Sequence, residues 1–155
     1  MMLFELEKTK LVPFQDMNEV HLEEMALGNE IFDYLQNTSV IDHKWLQVKL
    51  RDFLYHTRDH FKFEEELMKE TLCPILSCHE SEHNRVLAIM IQIFKVYMMS
   101  ADTQILKDYF ECEFKPWIEH HILTMDTVTA TYLESYEKGE SIPGLSDHQC
   151  GTNKC

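Results

Sequence analysis

Three stretches of the chain repeat one spacing, and each interrupts it with histidine. His21, Met25, Gly28, Phe32 and Leu35 step 4, 3, 4, 3. Leu46, Leu50, Phe53, Thr57, His60, Glu64 and Leu67 step 4, 3, 4, 3, 4, 3. Leu76, His79, His83, Val86, Met90, Ile93 and Tyr97 step 3, 4, 3, 4, 3, 4. Spacing of this kind is the inward stripe of an amphipathic helix in a bundle. It leaves little room for a β fold, and four glycines with four prolines in 155 residues supply few turns for one. Turn and cap signals divide the rest. Asn18 suits an N-cap for a first helix to Gln36, with a turn at Asn37-Thr38-Ser39. Asp42 caps a second helix to about Thr71. Cys73-Pro74 opens a third that ends near Ser100, with Pro74 in its first turn. A fourth runs from about Thr103 to Lys138, where Gly139 fits a stop. Pro116 falls inside the fourth and predicts a kink or a restart. The expected fold is all-α, an antiparallel up-down-up-down four-helix bundle. An N-terminal arm (1–17) precedes the bundle (18–138), and a polar tail (139–155) follows it.

Composition narrows the partners. The chain carries 27 acidic against 14 basic residues, a formal net charge of −13. Such a chain repels phosphate backbones and anionic membranes, so no nucleic-acid or membrane partner is expected. Val86–Met99 is the most apolar stretch, but Gln92 and Lys95 break it and it is too short to span a bilayer. It predicts a deeply packed helix, or a surface offered to a protein partner or to a second copy. No secretory h-region is visible near the N-terminus, and five cysteines without a CxxC pair predict mostly free thiols. The expectation is a cytoplasmic protein. Cys150 and Cys155 read as free thiols of the tail, with a redox or metal-binding pair as the alternative.

Imidazoles and carboxylates on core stripes need compensation, because burying a lone polar or charged group is costly. His60 and Glu64 are four residues apart and share a helix face; so do His79 and His83. His21 sits on the first stripe. Metal is the simplest compensation, since imidazole and carboxylate are good first-row ligands. On the fourth helix His121 and Asp126 are five residues apart, about 140° in an α-helix. They flank an apolar face centred on Ile118, Ile122 and Met125, and spacing alone leaves open whether both reach the bundle axis. Seven such groups exceed the needs of one metal and suit two. His43, His56, His120 and His148 read as surface or supporting residues, and Glu65 and Glu66 as a solvated acidic run.

The ordered set of His21, His60-xxx-Glu64, His79-xxx-His83 and Trp117-Ile-Glu-His-His121-Ile-Leu-Thr-Met-Asp126 resembles the hemerythrins, specifically the bacteriohemerythrin branch. Met17-Asn-Glu-Val-His21 is similar to that family's first-helix histidine segment. The resemblance spans about residues 15–137. It implies a non-haem di-iron centre, two iron ions with an oxo or hydroxo bridge, that binds O2 reversibly for carriage, storage or sensing. On it, His79, His83 and His121 hold one iron. His21 and His60 hold the other, which keeps an open position, and Glu64 and Asp126 bridge the two. Trp117 and Ile122 are candidate walls of the O2 pocket. Five histidines to two carboxylates favours binding over oxidation chemistry, so an enzyme is not the first expectation. A di-iron peroxidase or NO-reducing enzyme, or a redox or O2 sensor acting on a separate partner, is the alternative. Pro116 beside Trp117 and the cysteine-bearing tail depart from the family pattern.

Overall fold

The computed structural model describes residues 2–141. The first three stripes form three long helices: α1 (Gln15–Asn37), α2 (His43–Glu70) and α3 (Leu76–Ser100). The fourth rod is one helical column of three α-helical pieces, α4 (Thr103–Asp108), α5 (Lys115–His121) and α6 (Thr127–Glu137). Two π-helical segments, Tyr109–Phe114 and Ile122–Asp126, join these pieces. Short connections link the rods into an antiparallel four-helix bundle. Among the described residues there is no strand, and no helix is long and apolar enough to cross a membrane.

The helix ends follow from local chemistry. Asp42 caps α2, its carboxylate accepting from the Lys44 and Trp45 amides at 3.0 and 3.1 Å. Asp102 caps α4 in the same way through Gln104. At the end of α6, Gly139 adopts φ +68°; its amide bonds the Tyr136 carbonyl, and the Glu140 amide bonds that of Ser135. That is a Schellman stop, which a residue without Cβ takes at least cost. Leu72 and Ala101 take positive φ after α2 and α3 without being glycine, each at a cost of roughly 1–2 kcal/mol.

Two boundaries differ from the sequence reading. α1 begins at Gln15, and Asn18 lies inside it, 3% exposed, with its amide clamping both the N–H and the C=O of Val12 at 2.8 and 2.9 Å. Asn18 therefore ties down the arm instead of capping the helix. Pro74 sits in the turn before α3, which starts at Leu76. The arm itself packs on the bundle. Asn29 bonds both backbone groups of Phe4 at 2.7 and 2.9 Å, and Phe4 is buried. Gly28 admits it: a Cβ there would lie 3.2 Å from the Phe4 ring.

The inward stripes drift slightly from the seven-residue pattern, as straight helices do. Met68 is buried where the pattern predicts Leu67, and Phe94 where it predicts Ile93. Below the histidine level, Phe53, Phe110 and Phe114 meet edge to face with centroids 5.2–6.1 Å apart, the favoured aromatic geometry. Among the described residues Cys73 and Cys112 carry free thiols, whereas Cys78 is disulfide-bonded. Cys150, Cys155 and His148 lie outside the described residues.

Candidate metal centre

All seven charged or imidazole groups of the predicted set converge, each with a relative exposure of 2% or less. α1 brings His21, α2 brings His60 and Glu64, α3 brings His79 and His83, and the fourth rod brings His121 and Asp126. They form two overlapping groups that could each hold a metal ion: Glu64, His79, His83, His121 and Asp126; and His21, His60, Glu64 and Asp126. The two carboxylates belong to both.

The fourth-rod pair shows why the α-helical projection was ambiguous. Ile122–Asp126 is π-helical, and the Thr127 amide bonds the Ile122 carbonyl five residues back. A wider turn lets residues five apart share a row, so His121 and Asp126 face the same way, Nε2 to Oδ1 3.1 Å. The other π segment accommodates Pro116. The Lys115 amide reaches back five residues to Phe110, and Pro116 then falls in the first turn of α5, where a missing N–H costs least.

Hydrogen bonds at the outer edge fix the imidazole tautomers. His60 Nδ1 meets the buried Glu24 carboxylate, His83 Nδ1 donates to Glu65 at 3.0 Å, and His79 Nδ1 to Thr129 Oγ1 at 2.9 Å. With each Nδ1–H committed outward, the neutral rings aim bare Nε2 lone pairs inward. His121 Nε2 lies 3.0 Å from His79 Nε2 and 3.2 Å from His83 Nε2. His60 Nε2 lies 3.0 Å from Glu64 Oε1. Both Asp126 oxygens, Glu64 Oε2 and His21 Nδ1 are buried without a hydrogen-bond partner. Acceptors crowded together with no donor between them repel unless a cation sits among them. The spacing agrees: ligands about 2.1 Å from a first-row metal and at right angles lie about 3.0 Å apart. The residues present therefore fit a metal site.

Without metal, protons must serve instead. Burial opposes charge on His21 and His79, yet their bonds to Asp126 and Glu64 raise both to about 9. Burial, together with the charges of His79 and His83, holds His121 below the ordinary histidine range. Burial would raise Glu64 and Asp126, but the surrounding imidazoles keep both carboxyls well below the usual range.

Three supporting residues escaped the sequence reading. Glu24 is fully buried and accepts from Thr57 Oγ1 at 2.5 Å as well as bonding His60. It stands three residues after His21, on the same face, which was the available signal. Thr129, one turn beyond Asp126, is the second. Glu65 was expected to be solvated; it turns to His83 because that ring lies against the exposed edge of α2. Aromatic rings brace the cluster: Phe61 stacks on His83 (3.9 Å, 2°) and Trp117 on His121 (4.6 Å, 23°). The Trp117 indole N–H is held by Glu82 at 2.9 Å. Ile122 is buried next to His121 in sequence, 1% exposed. Of the remaining histidines, His120 is exposed, His56 faces Glu23 at 3.4 Å, and His43 is exposed but bonds Tyr97 Oη at 2.7 Å.

No family model matches the chain, and no solved structure is significantly similar to it. Two curated relatives are. A bacteriohemerythrin of Aquifex aeolicus (strain VF5) is 29% identical over 132 residues, covering 85% of this chain and 98% of that one. A bacteriohemerythrin of Ralstonia nicotianae (strain ATCC BAA-1114 / GMI1000) is 32% identical over 82 residues, 52% of this chain and 58% of that one. The chain is a relative of the hemerythrins. The relationship, the four-helix bundle and the buried histidine–carboxylate cluster agree with one another.

Proposed function

We propose that this protein binds O2 reversibly at a non-haem di-iron centre and is a binding protein rather than an enzyme. The observation that carries the proposal is the pair of overlapping ligand groups, five imidazoles and two carboxylates, closed in the bundle interior. In this reading His79, His83 and His121 would hold one iron and His21 and His60 the other, with Glu64 and Asp126, which belong to both groups, available to each. The smaller imidazole set leaves room for an incoming ligand on its side. Iron in such a site would supply the electrons that O2 binding requires.

The chain's own residues do the rest. Glu24, Thr129 and Glu65 hold three rings with their Nε2 atoms inward. The buried charge also fits: two divalent ions bring four positive charges against three negative ones from Glu24, Glu64 and Asp126. One further negative charge would balance the loaded site. Trp117 and Ile122 would wall the ligand pocket and exclude water. The low proportion of carboxylates stabilises high oxidation states weakly, which favours binding over oxidation chemistry. A cytoplasmic setting is supported by the free thiols of Cys73 and Cys112. A thiol count after alkylation in the cell tests it, including whether the Cys78 bond is present there.

The deciding experiment is an anaerobic-to-aerobic absorption titration of iron-loaded protein. Two irons per chain, with a visible band that appears on O2 and disappears under vacuum, is the expected result. Loading with fewer than two irons, or a band that does not reverse, would defeat the proposal. Steady consumption of peroxide with a supplied reductant would instead assign the centre to an enzyme.

A further inference from the structure

A groove of about 570 Å3 runs between α2 and α3, at the other end of these helices from the histidine cluster. Leu50 and Phe94 form its floor. Val48 and Met98, 44% and 54% exposed, stand on its walls. Its polar rim is cationic: Lys44, Arg51 and Lys95 line it, Arg51 being paired with Asp52 at 3.2 Å, and no lining residue is acidic. That is unusual in a chain with 27 acids to 14 bases. Lys8, Lys49, Lys62, Lys69, Lys115 and Lys138 all lie against carboxylates. Lys44 and Lys95 have no ion pair among the described residues, a condition they share with Lys10 and Lys107, but Lys44 and Lys95 meet in one groove.

We propose that this groove receives an amphipathic helix of a separate protein, one whose apolar stripe is flanked by carboxylates. Charge complementarity selects the occupant. A second copy docked groove to groove would set the unpaired Lys44 and Lys95 against themselves. An anionic membrane is repelled by the net charge of −13 and does not fit a concave surface. The chain's own residues 142–155 do not supply such a helix: they carry a single acid, Asp147, and Pro143, Gly144 and Gly151 interrupt any helical stripe. The lined stretch of α2, Lys44 to Tyr55, is about 16 Å long, which matches three turns and anchors at i, i+4 and i+7.

The test selects a displayed library of random peptides, about 16 residues or ~24 Å as helix, on the full-length chain. Enriched peptides should carry net negative charge and apolar residues at i, i+4 and i+7. As synthetic peptides in fluorescence anisotropy they should bind at least about tenfold more weakly to the Lys44→Glu/Lys95→Glu protein. Binding to the unaltered chain should also weaken with salt, a reading that needs no variant. Four results would overturn the proposal: no enrichment, basic enriched sequences, binding indifferent to both charge reversal and salt, or flotation with phosphatidylserine vesicles. Sedimentation showing a dimer that Lys44→Glu/Lys95→Glu dissolves would assign the groove to self-association and overturn it equally.

Discussion

Glu24→Gln removes a buried negative charge while leaving its shape in place, and so isolates what that charge does for the metal centre. The substituted amide can still accept the His60 Nδ1–H through its oxygen. Its NH2 can turn to Thr57 Oγ1, which keeps the Phe53 carbonyl as its own acceptor at 3.0 Å. The fold should therefore survive, and the loss should fall on the ligand. An anionic partner raises the basicity of a coordinating imidazole, and losing such a partner costs 10–100-fold in metal affinity in well-studied sites, or about 1.4–2.7 kcal/mol. Glu24 is 0% exposed, so water does not screen it, and the upper half of that range is expected. Glu65→Gln is the internal control: it supports His83 through the same kind of bond, but its side chain is 15% exposed, and solvent should dilute the effect. Chelator competition, read as metal per chain at fixed pH, measures both. Unchanged affinity in Glu24→Gln, or a loss no larger than in Glu65→Gln, would refute the argument that the buried carboxylate tunes His60.

Other expectations follow from the same geometry. The metal-free chain should lose stability as pH rises from about 6.5 to 9. His21 and His79, raised to about 9, stabilise the fold fully only below the unfolded histidine pKa and cease to do so above their own. His60, raised by the carboxylates of Glu24 and Glu64 against its burial, acts in the same sense, and His121, held low, works in the opposite direction but is one group against three. The loaded chain should show the reverse slope, losing metal and stability towards acid as ligands protonate; thermal melts of both forms across that range check the pair. His121→Ala deletes the ring that faces His79, His83 and Asp126, and should leave one metal of the proposed two, counted by elemental analysis. Ile122→Val removes one methylene beside His121 and should cost about 0.5–1.5 kcal/mol in a denaturant melt. It should also shorten the lifetime of the O2-bound form by admitting water, with an unchanged lifetime removing Ile122 from the pocket wall.

The core stripes and the i, i+4 pairs on α2 and α3 were legible because an α-helix projects sequence spacing onto a face with little error over two turns. The long-range supports were not. Nothing in local spacing ties Glu24 to His60 or Thr129 to His79, since each bond joins different helices. Glu65 was misread for a related reason: a run of three glutamates looks solvated until the neighbouring helix places a ring beside one of them.

The fourth rod is the instructive case, because there the projection itself fails. At 100° per residue, His121 and Asp126 lie on opposite edges of a face and Pro116 breaks the helix. Both conclusions assume an unbroken α-helix. Two π-helical segments remove that assumption, one upstream of Pro116 and one between the two polar residues. A π turn is less favourable than an α turn and persists only where something offsets it. In the second segment the Thr127 hydroxyl bonds the Ile122 carbonyl at 2.7 Å, giving that carbonyl a second donor beside the amide from five residues on. Asp126, in turn, gains His21, His79 and His121 within 3.1 Å. A plain α-helix would swing Asp126 away from this contact and leave the imidazole cluster short of one of its two shared carboxylates. The irregular turn is therefore where the fold yields to the site, and a reading that holds every residue to one helical period cannot anticipate it.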